Sequence, residues 1–170
     1  MPPLLAILAH TPRWVWAVLA VLVLFGLQGL RARTVSIWRL LIVPAVFIGW
    51  GLISLAQRVA VFPALMVDWS LAAIVGVAIG WFATRLGGMR VDRIARRVEL
   101  AASALPLIRN VAIFLAKYVL AVAAAIAPER AAVLAHWDIA VSGLSAGYFA
   151  AWLARLAVRY RAAPLRFAAG

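Results

Sequence analysis

Long apolar runs, separated by short breaks that carry arginines, set the pattern of this chain. Five runs reach or approach the roughly 20 residues that a helix needs to cross a bilayer: 14–30, 37–57, 64–84, 104–127 and 131–154. They predict an all-α fold, a polytopic helical bundle of five transmembrane helices forming a single membrane domain over 1–170. The first run is short for a straight span. Residues 3–9 ("PLLAILA") extend its apolar surface beyond the "HTP" break at 10–12, where Thr11 is placed to cap the following helix. No signature recurs with a period of roughly 20–50 residues. The segments "IGWG" (48–51) and "IGWF" (79–82) echo each other only weakly.

Composition agrees with the runs. Of 170 residues, 68% are hydrophobic and 13% charged, and the mean hydropathy is +1.06. A soluble domain of this size cannot hide so much apolar surface. The net charge of +12 does not point to nucleic acid, because the arginines are scattered between apolar runs and form no single basic stripe. The absence of cysteine removes disulfides, thiolate metal sites and a cysteine nucleophile. The N-terminal "MPPLLAILAHTPR" lacks a basic start and a small-residue cleavage site, and reads as retained sequence.

The basic residues give a direction. Arg13, Arg58 and Arg130 stand alone at three span ends, whereas Arg31, Arg33 and Arg39, then Arg85, Arg90, Arg93, Arg96 and Arg97, and finally Arg155, Arg159, Arg161 and Arg166 cluster at the alternate ends. The positive-inside bias then places the N-terminus outside and the C-terminus in the cytoplasm. Trp14, Trp16, Trp69 and Trp137 mark the outer interface, and Trp38, Trp81 and Trp152 the inner one.

The substantial extramembrane piece is the cytoplasmic connection 87–103, "GGMRVDRIARRVELAAS". Val91, Ile94 and Val98 fall at i, i+3 and i+7, which predicts a short amphipathic helix on the membrane surface with arginines toward headgroups. The pattern R-V-D-R…R-V-E-L also suits a small strand-turn-strand, and a solvated connector that fixes topology is the plainest reading. Arg93, Arg96 and Arg97 of this connection, with Arg39 and Arg109 near inner span ends, are candidates for lipid headgroup contact.

Polar residues at membrane depth are costly, at least ~2.5–3.5 kcal/mol for a central Lys or Asp, and so face protein or water. Lys117 is the single lysine of the chain and lies in "AIFLAKYVLAV" (112–122). At 100° per residue, Asn110, Lys117, Ala121 and Ala124 share one face within about 40°. Two acids lie at comparable depth, Asp68 and Asp138. Lys117 is about 16 Å below the "APER" turn (127–130) and Asp138 about 12 Å, at ~1.5 Å per residue, so a Lys117–Asp138 pair is expected, with Asp68 the second choice.

On the fifth span Asp138, Ser142 and Ser145 form a polar stripe. His136, Ala140, Gly143, Gly147, Ala151 and Ala154 form a small-residue stripe opposite it. Gly143 with Gly147, and Gly76 with Gly80 on the third span, are GxxxG pairs, which suit close helix contact and hence a homodimer or a larger membrane complex. His10 and His136 fall near the outer interface, level with Asp68 and Asp138, where a metal site or a proton entry point would need them. His136 and Asp138 are about 200° apart, which opposes shared ligation, and His10 sits at a helix entry, which opposes axial haem ligation. The expectation is therefore no cofactor. No Ser-His-Asp set, phosphate loop or zinc-protease helix occurs, so no enzyme is expected.

Three stretches, "ILAHTPRWVWAVLAVLVLFGL", "RARTVSIWRLLIVPA" and "RVDRIARRVELAASALPLIRNVAIFLAKY", resemble a family of small, uncharacterised bacterial inner-membrane proteins over most of the chain. The layout of spans and polar connection is also distantly similar to a membrane family associated with cytochrome c biogenesis. The resemblance implies no activity, substrate or cofactor. Heavy use of arginine over lysine fits a GC-rich genome and a bacterial inner membrane. The functional expectation is a non-catalytic structural or accessory component or a dimerising bundle. An alternative is a proton, ion or small-solute transporter or channel lined by Lys117, Asp138, Asn110 and Ser142, and a third is a membrane redox or metal-binding protein.

Overall fold

In the computed structural model, residues 3–59, 63–83 and 90–163 are described, with side chains from residue 7 onward. Arg85 and Arg166 of the charge count, residue 84 of the third run and residues 87–89 of the connection lie outside the described residues. The elements in chain order are α1 (Pro3–His10), α2 (Arg13–Gln28), β1 (Arg33–Ser36), α3 (Ile37–Val59), α4 (Ala64–Ala83), β2 (Arg90–Asp92), β3 (Arg97–Leu100), α5 (Leu105–Ile126), a 3-10 turn (Pro128–Arg130) and α6 (Ala131–Ala162). Among the described residues, four helices are long and apolar enough to cross a membrane: α3, α4, α5, and α6 with its preceding turn. α2 has 16 residues, about 24 Å at ~1.5 Å per residue, against a hydrocarbon core of ~30 Å.

The chain divides into two compact units, residues 1–31 with 102–134, and residues 32–101 with 135–170. In the first, α2 and α5 run antiparallel. Gly26 meets Leu107 at one end, where a β-carbon on the glycine would lie 2.6 Å from Leu107 Cα. At the other end Trp16 packs on Tyr118 with ring centroids 6.2 Å apart. Pro12 ends α1, since it has no N–H to continue the ladder. The Thr11 hydroxyl donates to the Ile7 carbonyl at 2.8 Å and lies 2.7 Å from the Tyr118 hydroxyl. Thr11 thus closes α1 and ties it to α5, whereas the sequence reading made it a cap for α2. No side chain caps that helix.

In the second unit α6 runs antiparallel to α3 and parallel to α4. Phe149 stacks on Phe47 at 5.2 Å, and a β-carbon on Gly51 would lie 3.3 Å from the Ser142 carbonyl oxygen. The α4–α6 contact is closer still. Gly143 and Gly147 lie against the Trp69 and Ala73 carbonyls, and Gly76 against the Leu144 carbonyl. A β-carbon on Gly80 would come within 2.6 Å of the Tyr148 carbonyl oxygen. Both GxxxG pairs are therefore buried against one another inside a single chain. The faces that the sequence reading assigned to a dimer make an internal seam, because apolar helices in lipid gain contact only where backbones approach closely. Buried Pro44 sits within α3 and leaves the Leu40 carbonyl without its usual helical donor.

The described part of the connection, residues 90–103, is not helical. β2, β3 and β1 form an antiparallel sheet in the order β1-β3-β2. Val35, Val98 and Val91 lie in one row across it, with Val98 fully buried. The i, i+3, i+7 spacing that suggested a helix arises because a four-residue turn brings Val91 opposite Val98 and leaves Ile94 exposed at the tip. The strand-turn-strand alternative describes 90–100, and the third strand, "RTVS", was read only as a connection. β-branched residues favour the extended form on a half-buried sheet.

Candidate functional site

Four titratable side chains, Arg58, Asp68, His136 and Asp138, gather at one end of the second unit, near the end of α3 and the starts of α4 and α6. Arg58 Nη2 lies 3.4 Å from Asp138 Oδ2, and His136 Nδ1 lies 2.5 Å from Asp68 Oδ2. Leu55, Leu65 and Ile139 form the apolar floor, with Val59 and Trp69 packed against them. The indole Nε1 of Trp69 is buried there with no acceptor among the described residues. Arg58 and His136 are 42% and 50% exposed, so both pairs are partly hydrated and each stabilises weakly.

Sequence reasoning placed Asp68, His136 and Asp138 at this level but missed Arg58, which it used only as a topology marker. The signal was partial: Arg58 is one of three lone arginines, with Arg13 and Arg130, assigned to the end where Asp68 and Asp138 lie. Lys117 is half-buried on α5, in the first unit, and Asp138 belongs to the second, so their pairing stands as the sequence's expectation. His10 ends α1 and is exposed in the first unit. Among the described residues no three histidine, aspartate or glutamate side chains converge as a metal set would require.

The remaining polar residues at depth are engaged close to home. Asn110 is 1% exposed, and its Oδ1 accepts from Arg109 Nε at 3.2 Å and Nη2 at 3.1 Å. Arg109 thereby covers a buried amide oxygen, and the headgroup contact read for it from the sequence stands as an expectation. The Ser142 hydroxyl donates to the Asp138 carbonyl at 3.1 Å, and that of Ser145 to the Ser142 carbonyl at 2.9 Å. Short hydroxyls at i−4 and i−3 satisfy themselves on their own helix in this way.

The sheet lies at the opposite end of α3, together with Arg33, Arg93, Arg97 and Arg155. Arg93 stacks over the Tyr160 ring at 5.8 Å, and its Nη1 donates to the Ala163 carbonyl at 3.5 Å. A cation thus meets the carbonyl end of α6, where the helix dipole favours it. Arg155 donates to the Trp81 carbonyl and lies over the Trp81 ring at 5.6 Å, joining the ends of α4 and α6. Arg97 stands opposite Asp92. The pKa of Arg33 is lowered, first by burial and then by repulsion from Arg39.

No curated protein and no solved structure matches the chain. A family model does, over residues 2–168, and the chain belongs to that family, described as a family of unknown function, DUF6622.

Proposed function

We propose that the chain is a non-catalytic component of a bacterial inner membrane, a five-span bundle that acts as a structural or accessory subunit. In this reading α2 is the fifth span, with apolar α1 ahead of it, the N-terminus is outside and the C-terminus cytoplasmic. The observation that carries the reading is the engagement of polar groups at depth. Asn110, Ser142 and Ser145 are buried, and each hydrogen-bonds a neighbour on its own helix, so together they do not form an open polar file of the kind that conducts a solute. Large apolar side chains such as Ile74 and Phe82 on α4 are exposed, which suits lipid or a partner's helices.

Affinity purification of the tagged chain from its native membrane tests this. A stoichiometric partner supports the subunit reading. Isolation without a partner, together with ion or solute flux in proteoliposomes that Lys117→Met abolishes while leaving the fold intact, overturns it.

A further inference from the structure

The glycine faces that suit a dimer are buried inside the chain, so a second copy needs another surface. The sheet offers one. β2 is an edge strand, with β3 on one side and no partner strand on the other among the described residues. An antiparallel ladder leaves backbone N–H and C=O groups pointing outward from such an edge. On β2 the side chain of Val91 is buried, whereas Arg90 is exposed and Asp92 partly so.

The charges of that edge form a pattern. Within the chain Arg90 stands opposite Glu99 and Asp92 opposite Arg97, so each of these cross-strand pairs joins unlike signs, which favours pairing. The sequence of β2, R-V-D, is also its own complement. Set antiparallel to a copy of itself about Val91, the strand places each Arg90 opposite Asp92 of the other copy, and Val91 opposite Val91. The alternation of signs on the charged face then continues across the junction. Edge strands are commonly guarded by charged side chains that discourage a neighbour, but these two attract their own copy. The other edge strand, β1, has no such complement. Paired with itself over its 4 residues, it sets Arg33 against Ser36.

We propose that the chain forms a homodimer by antiparallel pairing of β2 with β2 of a second copy, joining the two 3-stranded sheets. The two-fold axis passes between the two Val91 residues, perpendicular to the sheet. It keeps the valine rows of both copies on one side and the charged faces on the other, as two chains inserted in one bilayer in the same direction require. Such an isologous contact closes on itself and gives a dimer, not a fibre. The dimer goes beyond the subunit reading and does not depend on it.

The full chain is prepared with two different tags, purified in detergent, and its mass measured by light scattering. The wild type gives two chains per particle. Arg90→Glu sets like charges opposite each other between the copies, and so does Asp92→Arg, so each variant alone loses the dimer. Mixed, they recover it as a heterodimer retrieved by both tags. The glutamate of one copy then meets the introduced arginine of the other, and the unchanged Asp92 and Arg90 meet as well. A variant that had merely failed to fold would not be rescued in this way. The chain has no cysteine, so Val91→Cys places a single thiol beside the two-fold axis, and mild oxidation links the dimer. Thr34→Cys, at an exposed position of β1, stays unlinked. The proposal is overturned if the wild type is one chain per particle, if the dimer survives both charge changes, if the mixture stays monomeric, or if Thr34→Cys links as fast as Val91→Cys. Each of these leaves the subunit reading standing, because that is tested on the native membrane and the dimer on the pure chain.

Discussion

The seam between α4 and α6 makes a single substitution change sign with its position. Gly147→Ala puts a β-carbon against the backbone carbonyl of Ala73, and a carbonyl within a helix cannot rotate aside as a side chain can. The two helices must move apart, and overpacking of this kind costs ~1–3 kcal/mol. Replacing glycine by alanine within a helix also gains up to ~1 kcal/mol from backbone entropy, leaving a net loss of roughly 0–2 kcal/mol at Gly147. Gly49 on α3 has open space around its missing β-carbon. Gly49→Ala should therefore show the gain alone, up to ~1 kcal/mol. The two variants should differ by about 2 kcal/mol, a roughly 30-fold difference in the folding equilibrium. The assay is reversible unfolding in mixed micelles by titration with a denaturing detergent, with wild type and both variants in parallel. If Gly147→Ala is as stable as Gly49→Ala, the seam is not held by backbone contact.

Three further outcomes follow from the same geometry. Asp138→Asn removes the charge facing Arg58 but leaves a hydrogen-bonding side chain, so its loss in that titration should stay below ~1 kcal/mol, as for a partly exposed ion pair. Val98→Ala removes two methyl groups from the fully buried centre of the sheet and should cost ~1.5–3 kcal/mol with the cavity included. Its readout is faster trypsin cleavage among Arg90, Arg93, Arg96 and Arg97. Under the proposed subunit reading, affinity purification from the native membrane returns a stoichiometric partner.

How much could be read from the sequence depended on how far apart the interacting residues lie in the chain. The four long helices were legible because each run alone meets the length of a bilayer. The first run, 14–30, was harder: it forms α2, which is short of that length, and the apolar stretch 3–9 ahead of the break at 10–12 forms a separate helix, α1. The sheet was half legible. Val91 and Val98 fit both a helical and a hairpin spacing, and the choice was made by Val35, more than fifty residues upstream, which completes their row. The GxxxG pairs were recognised as contact faces, but the sequence could not say that their partners were each other. The site at the far end was legible as residues and not as pairs. Asp138 could be matched to Lys117 by depth, whereas Arg58 became visible only when the end of α3 was set beside α6.

The sheet also explains how a chain so apolar can hold its helices in register. In lipid, apolar helix faces gain little from contact with each other over contact with acyl chains, so the α3–α6 spacing needs an anchor that does not depend on that difference. The sheet supplies it from residues outside the long helices, among which Arg90, Arg97 and Glu99 are exposed. β1 runs directly into α3, and the Ile37 N–H is bonded to the hairpin turn at Arg96. The same turn reaches the last turn of α6 through Arg93, Tyr160 and the Ala163 carbonyl. One hairpin thus meets the start of α3 and the end of α6, the two ends that antiparallel packing brings together. The valine row gives that hairpin a small apolar core of its own, where burial of apolar area is favourable in the ordinary aqueous sense. Loosening that core should therefore disturb the Phe47–Phe149 stack before it affects the α4–α6 glycine seam, because the seam is held by backbone contact along its length and the stack depends on the spacing that the hairpin sets.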